Sequence, residues 1–268
     1  MDDPPVSPPG IDTSVPNVAR VYDALLGGKD NFAVDRAQAA KLIEFDPSLP
    51  VLVRQNREFI NRVVTWAAGR GIRQFLDLGA GLPTHPAVHE AAKEASASAR
   101  VVYVDSDPVV VMHAQSLLTG PDGVTSVRAD LTQPELVMSR QVLADLLDPR
   151  EPMCVLTAAV LHFMSAETAR DLVSRYARLL PPGSVLAVSV VSSDDPELAA
   201  RARQAYTATR TYSHSREEVA SFLVDAGLDL VAPGVVLAHT WRGDMPDPGL
   251  NSTGPFRVLA AVGVLPVS

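Results

Sequence analysis

A short apolar run that empties into a glycine turn, Gln74-Phe75-Leu76-Asp77-Leu78-Gly79-Ala80-Gly81-Leu82-Pro83-Thr84, sets what this chain can become. Phe75, Leu76 and Leu78 lie between Arg73 and two glycines, the pattern of a short central strand covered on both faces of a parallel sheet. Gly79 and Gly81 permit a tight turn and close approach of a ligand to the backbone. Thr84 or His85 can then cap a helix with Pro86 in its first turn. A strand, a glycine turn and a helix in that order predict a cofactor-binding βα unit in an α/β domain.

The position of the third glycine discriminates among cofactors. A dinucleotide fingerprint needs glycine at 84, where the helix packs beside a pyrophosphate, but Thr84 is β-branched and Pro83 is rigid. Asp77, an acid on the strand just before the turn, suits a cationic amino group, so S-adenosylmethionine (SAM) is favoured over a nicotinamide or flavin dinucleotide. A ligand-free structural turn is the remaining alternative.

With 268 residues, 47% of them hydrophobic, the chain can bury a large core. A net charge of −8 argues against a nucleic-acid footprint or an anionic membrane surface, and directs the search to a small-molecule substrate. The single cysteine, Cys154, stands in the apolar run Met153-Cys154-Val155-Leu156, which reads as a buried inert thiol in a reducing compartment. No apolar run reaches the ~18 residues of a membrane span, and no signal-peptide layout opens the chain, so a cytoplasmic protein is expected.

Residues 1–16 are rich in proline and read as a mobile tail. Residues 17–70 read as a helical cap and 71–268 as the cofactor-binding domain. In the cap, a helix from Asn17 places Val18, Val21, Tyr22 and Leu25 on one face and stops at Gly27-Gly28. Lys29-Asp30-Asn31 then caps a second helix, and a third runs from about Pro50 to Ala68. Its cluster Arg54-Gln55-Asn56-Arg57 is either a solvated face or the source of an arginine, Arg57, for a ligand carboxylate.

Beyond the turn, a helix over 86–97 leads to Arg100-Val101-Val102-Tyr103-Val104-Asp105, a second buried strand ending in an acid. Asp105, followed by Ser106, can accept both hydroxyls of a ribose bound over the first turn. A third strand from Val124 ends at Asp130, placed for an adenine amine with Leu131 against the ring; a simple turn aspartate is the alternative. A fourth strand spans Pro152 to Met164, with Ala158 facing the cofactor. Helices over 166–180, 196–208 and 215–226 and strands at Ser184–Val191, 229–238 and 256–264 complete the chain.

The runs Ala19-Arg20-Val21-Tyr22-Asp23, Leu25-Leu26-Gly27-Gly28-Lys29-Asp30-Asn31-Phe32, Asp77 through Thr84 and Val104-Asp105-Ser106-Asp107-Pro108 together resemble a bacterial family of S-adenosyl methyltransferases first catalogued as a domain of unknown function. The resemblance implies a Rossmann-like class I methyltransferase fold, a seven-stranded, mostly parallel sheet whose last strand is antiparallel, with an N-terminal helical extension. It implies that Gly79 and Gly81 approach the methionine part of SAM, with Ala80 between them where relatives often carry Thr or Ser, that Asp105 takes the ribose and that Asp130 lies on the adenine side. It supplies the cofactor and no acceptor.

Methyl transfer needs alignment more than a base. The fourth strand reads Thr157-Ala158-Ala159-Val160 where an amide- or amine-nitrogen methyltransferase would carry Asn/Asp-Pro-Pro-aromatic, which favours O- over N-methylation. His162 is the candidate catalytic base, weighed against a core or cap histidine. His85 and His89 are four apart, but no acid or cysteine cluster completes a metal site. Tyr22 and Gly28 are expected at the cofactor, under a lid built from residues 17–32. A non-catalytic SAM-binding protein and a dinucleotide-dependent reductase are the competing functions.

Overall fold

The computed structural model of the chain describes residues 12–117, 123–243 and 254–267. Five strands run parallel: β1 (Gln74–Leu78), β2 (Arg100–Asp105), β3 (Val124–Arg128), β4 (Cys154–Ala158) and β5 (Val185–Ser193). The two-residue strands β6 (Asp229–Leu230) and β7 (Val236–Leu237) both pair with the long β8 (Phe256–Val264), which is antiparallel to β5. The sheet order is β3-β2-β1-β4-β5-β8-β6, with β7 also on β8. The expected seven strands become eight because the sixth position is split in two. The order reverses between β1 and β4, and ligands of open α/β sheets bind at such a switch point, beyond the carboxyl ends of the strands.

β1 is buried throughout because it lies at the centre of this order, with helices on both faces. On one face Phe75, Val101, Cys154 and Ala187 pack with the long helix α3 (Leu49–Gly69), whose Phe59, Val63, Val64 and Ala67 are buried. On the other, Leu76, Val102, Val155 and Leu186 pack with Leu172 and Tyr176 of α8 (Ala166–Leu179) and Phe222 of α10 (Arg216–Val224). Cys154 is buried in the first of these layers, where burial drives its thiol pKa upward.

The N-terminal motif is built around buried acids. α1 (Val18–Leu26) is capped by Asn17, whose side-chain oxygen accepts from the Ala19 and Arg20 amides. Arg20 pairs at 2.8 Å with fully buried Asp35 of α2 (Ala33–Phe45), which also accepts from the Asn17 and Phe32 amides. Thus Asp35 caps the second helix, not Lys29-Asp30-Asn31; Asn31 instead binds Asp23 and Arg36. Gly27 ends α1 in the left-handed conformation, and a Cβ on Gly28 would lie 2.0 Å from Asp23 Oδ1.

Three further sequence expectations are corrected. α4 spans Val88–Ala95 and is capped by neither Thr84 nor His85; the Glu90 carboxylate accepts from the Ala87 amide at 2.6 Å. β3 stops at Arg128, two residues before Asp130. β4 stops at Ala158 instead of running to Met164, because Ala159 takes φ 56° and the chain turns into a short 3-10 segment, Leu161–Phe163. The prolines of residues 1–11 of the expected tail lie outside the described residues.

Candidate functional site

The carboxyl ends of β1, β2 and β4 open into a cavity of about 430 Å³. Its floor is the glycine turn. Gly79 and Gly81 both have positive φ, 71° and 64°, and a Cβ on Gly79 would strike the Val160 side chain at 2.6 Å. A Cβ on Gly81 would meet nothing within 4 Å. The turn is tied back by the Gly79 and Ala80 amides, which both donate to the Val104 carbonyl at 2.8 and 3.1 Å.

Asp105 braces the same turn from the tip of β2. One of its carboxylate oxygens accepts from the Gly81 amide at 2.9 Å and the other from the Asp107 amide at 2.9 Å. Burial raises its pKa despite those two donors. Asp107 caps α5 (Pro108–Leu117) through the Val109 amide and accepts from Asn17 Nδ2 at 2.6 Å, so the N-terminal helix is bridged to the β2 loop. Ser106, Leu131 and Ala158 also line this cavity, as do Tyr22 and His162.

Behind the turn is a second hollow of about 270 Å³, reached by Asp77, Tyr103 and His89. Arg57 borders both spaces. One guanidinium nitrogen donates to the Pro86 carbonyl at 3.3 Å, while its buried Nε has no hydrogen-bond partner among the described residues. Burial raises the Asp77 carboxyl to about 6; Arg57 opposes the rise and Asp105 adds to it. A carboxyl with that environment loses its proton when a cation arrives beside it.

Tyr22 reaches across α1 to α3. Its hydroxyl donates to the Val53 carbonyl at 3.2 Å and accepts from Asn56 Nδ2 at 3.0 Å. Asn56 in turn accepts from Ser189 Oγ at 2.6 Å, and that hydroxyl accepts from the Ala159 amide at 3.0 Å. A single chain of hydrogen bonds therefore joins the N-terminal helix to the strained residue at the end of β4.

Three sequence candidates are placed differently from the rest. Gly28 is off the cavity lining, spent on its contact with Asp23. Asp130 is exposed and off the lining as well, and its carboxylate accepts from Thr132 and Gln133, which hold its pKa low against the rise from partial burial. His162 lines the cavity, but its Nδ1 faces the Val191 amide at 3.4 Å, which leaves the proton on Nε2. Burial, with His214 adding, pulls its pKa down to about 3, so it is a weak proton acceptor at neutral pH. Among the described residues no group of three or more His, Cys, Asp or Glu is placed to hold a metal ion, and no helix is long and apolar enough to cross a membrane.

Sequence reasoning missed Arg203, Tyr206 and Thr211. Arg203 and Tyr206 of α9 (Pro196–Ala205) and its cap, and Thr211 and Tyr212 after it, line the cavity on the β5 side. Gln38 fixes that wall by donating to the Ala205 carbonyl and accepting from Thr207. Contacts 167 and more residues apart carry no local signal.

A parallel sheet with an antiparallel β8, a glycine turn at the switch point and an acid at the tip of β2 define a class I SAM-dependent methyltransferase. The model of the S-adenosyl methyltransferase family matches residues 5–266, and the chain belongs to that family. A candidate methyltransferase from Thermobifida fusca YX is 36% identical, with a TM-score of 0.90 over 97% of this chain and 98% of that one. A DUF574 family protein from Streptomyces avermitilis MA-4680 is 35% identical, with a TM-score of 0.89 over 95% and 99%. Magnesium protoporphyrin IX methyltransferase from Synechocystis PCC 6803, solved with bound S-adenosylhomocysteine (SAH), shares the fold at 16% identity and a TM-score of 0.55, over 91% and 92%. No curated protein matches the chain.

The residues present fit SAM. The unpartnered Arg57 Nε offers a donor to a carboxylate, Asp77 is poised to ionise beside an ammonium group, and Gly81 leaves open space at the turn.

Proposed function

We propose that this methyltransferase acts on an oxygen of a small-molecule acceptor. The observation that carries this reading is the cavity itself, a single space running from the glycine turn and Asp105 to Arg203 and Tyr212. At about 430 Å³, with the hollow of about 270 Å³ at Asp77 taking the ammonium end of the cofactor, it falls at the low end of small-ligand sites, which favours a small acceptor.

When bound, SAM supplies an electrophilic methyl group on a sulfonium. In this reading Arg57 takes its carboxylate, Asp77 faces its ammonium group, Asp105 and Ser106 meet the ribose, and Leu131 covers the adenine. The Ala158-Ala159 turn, held by Ser189, forms the wall beside the reacting centre. Nothing at the end of β4 reproduces an Asn/Asp-Pro-Pro-aromatic amine clamp, which supports oxygen over nitrogen.

Rate acceleration then comes from holding the acceptor about 3 Å from the methyl, in line with the breaking bond. His162 contributes shape, since its acceptor nitrogen is turned to Val191 and its basicity is suppressed. The test is to incubate the protein with SAM and small phenols, acids and amines and follow SAH formation. Turnover confined to amines would overturn the oxygen assignment.

A further inference from the structure

Charged groups that face the cavity are almost all engaged. Asp23 accepts from the Asp30 amide and Asn31, Asp105 from two amides, Asp107 from Asn17 and the Val109 amide, and Arg57 donates to Pro86. Arg203 is the exception: it lines the cavity, half-buried, and has no hydrogen bond, ion pair or ring contact among the described residues. Its neighbours in sequence are satisfied, Arg201 over the Phe45 ring at 5.8 Å and Arg210 over Tyr212 at 5.1 Å.

Tyr206 stands three residues further on, so its side chain and that of Arg203 share one face of the helix end. It too lines the cavity, and its hydroxyl has no hydrogen-bond partner among the described residues. Two unpartnered donors, one cationic and one neutral, therefore share one face of the α9 end, in a lining that mixes apolar Leu42, Ala199, Ala202 and Phe256 with neutral polar Thr211 and Tyr212 and holds no second charge beside them. A guanidinium in such a setting is weakly screened and calls for an anion, and its planar fork matches the two oxygens of a carboxylate. Gln38 keeps the pair in place by gripping Ala205 and Thr207 on either side of Tyr206.

We propose that Arg203 and Tyr206 recognise a carboxylate on the methyl acceptor, making the substrate class a small organic acid. This rests on the assignment of the cavity to a small-molecule acceptor. The acid group sits at the α9 wall beside β5, two strands away from the glycine turn after β1, so it orients the acceptor and leaves its oxygen nucleophile to face the methyl. Arg57 and Arg203 then divide two carboxylates between them, the cofactor's and the acceptor's.

The experiment uses the full chain loaded with SAH, probed with benzoate, 4-hydroxybenzoate and phenylacetate and with the matching amides. SAM and SAH affinities are measured first by calorimetry, and failure of either to bind would sink the reading of the cavity as a whole. Given cofactor binding, the acids should raise the melting temperature at millimolar concentration and the amides should not. Arg203→Gln should weaken acid binding tenfold or more and Tyr206→Phe about threefold, each with cofactor affinity unchanged; Arg203→Lys should restore part of the loss. Equal response to acid and amide, no response to either, or acid binding that survives Arg203→Gln would overturn the assignment.

Discussion

Asn17 Nδ2 donates to Asp107 Oδ2 at 2.6 Å across 90 residues of chain, tying the first turn of α1 to the loop that follows β2. The same asparagine caps α1 with its oxygen, so one side chain fixes both the start of the helix and its position over the cofactor end of the cavity. Asn17→Ser retains a capping oxygen and loses the bridge, whereas Asn17→Ala loses both. Loss of a cap costs about 1 kcal/mol. We expect Asn17→Ser to keep the melting temperature close to wild type while weakening SAM binding severalfold, and Asn17→Ala to lower both. Unchanged SAM affinity in calorimetry for both variants would separate α1 from the cofactor.

Asp105→Asn and Asp105→Ala should differ for a reason given by geometry. The carboxylate accepts from the Gly81 and Asp107 amides as well as lining the cavity, so the alanine variant loses the brace on the turn together with any ribose contact. Asparagine retains one acceptor oxygen. Hydrogen bonds to a charged group contribute roughly 1.5–3 kcal/mol each, so SAM affinity should fall about tenfold or more in Asp105→Asn and further in Asp105→Ala. Native affinity in Asp105→Asn would remove the ribose assignment.

Burial lifts the Asp77 carboxyl from its ordinary value to about 6, which makes SAM binding pH-dependent. Without ligand, the folded protein holds this proton more tightly than the unfolded chain, so this group favours the fold in acid and that contribution is lost as pH rises through about 6. A bound ammonium group favours the ionised form, so binding below about 6 must expel the proton and affinity should drop, by up to about tenfold per pH unit. Above pH 7 the affinity should be flat. Asp105, whose pKa burial also raises, could produce a similar trend. Asp77→Asn distinguishes the two, since it should bind more weakly at neutral pH and lose most of the slope below 6. A slope retained in that variant would assign the titration to Asp105.

What could be read from the sequence was what short apolar runs and glycines encode. β2 fell within its expected bounds because Arg100 and Asp105 flank an uninterrupted run, and the turn at 79–81 was legible from the two glycines. β4 was read too long since residues 152–164 remain apolar through the turn, and nothing in Ala159 announces a positive φ. The motif around Gly27-Gly28 was visible, yet its physical content was not. Its partner Asp35 sits fifteen residues past Arg20, and the role of Gly28 is defined by the Asp23 carboxylate against it. Arg203 and Tyr206 were illegible because α9 reads as an ordinary amphipathic helix until Gln38 and the cavity give it an inside.

Whether residues 17–32 act as a lid is best tested through side chains. Truncation through Phe32 would strip Val21 and Leu25 from the core layer they share with Phe59 and Phe75, so lost binding would not distinguish a lid from a support. The chain Tyr22–Asn56–Ser189–Ala159 offers a finer probe, because its hydrogen bonds link α1 to the β4 end and can be removed at Tyr22 while the ring stays packed on the core. Tyr22→Phe removes one hydroxyl and leaves Asn56 Nδ2 short of a partner. Asn56→Leu leaves both the Tyr22 and Ser189 hydroxyls with one partner fewer. An unsatisfied buried polar group costs about 1–3 kcal/mol, so Asn56→Leu should be destabilised by that order and Tyr22→Phe by less. If α1 closes over the cofactor, Tyr22→Phe should weaken SAM binding and speed its dissociation in stopped-flow measurements while the melting temperature moves little. A Tyr22→Phe variant with native dissociation kinetics would leave α1 as a packed helix at the edge of the site and nothing more.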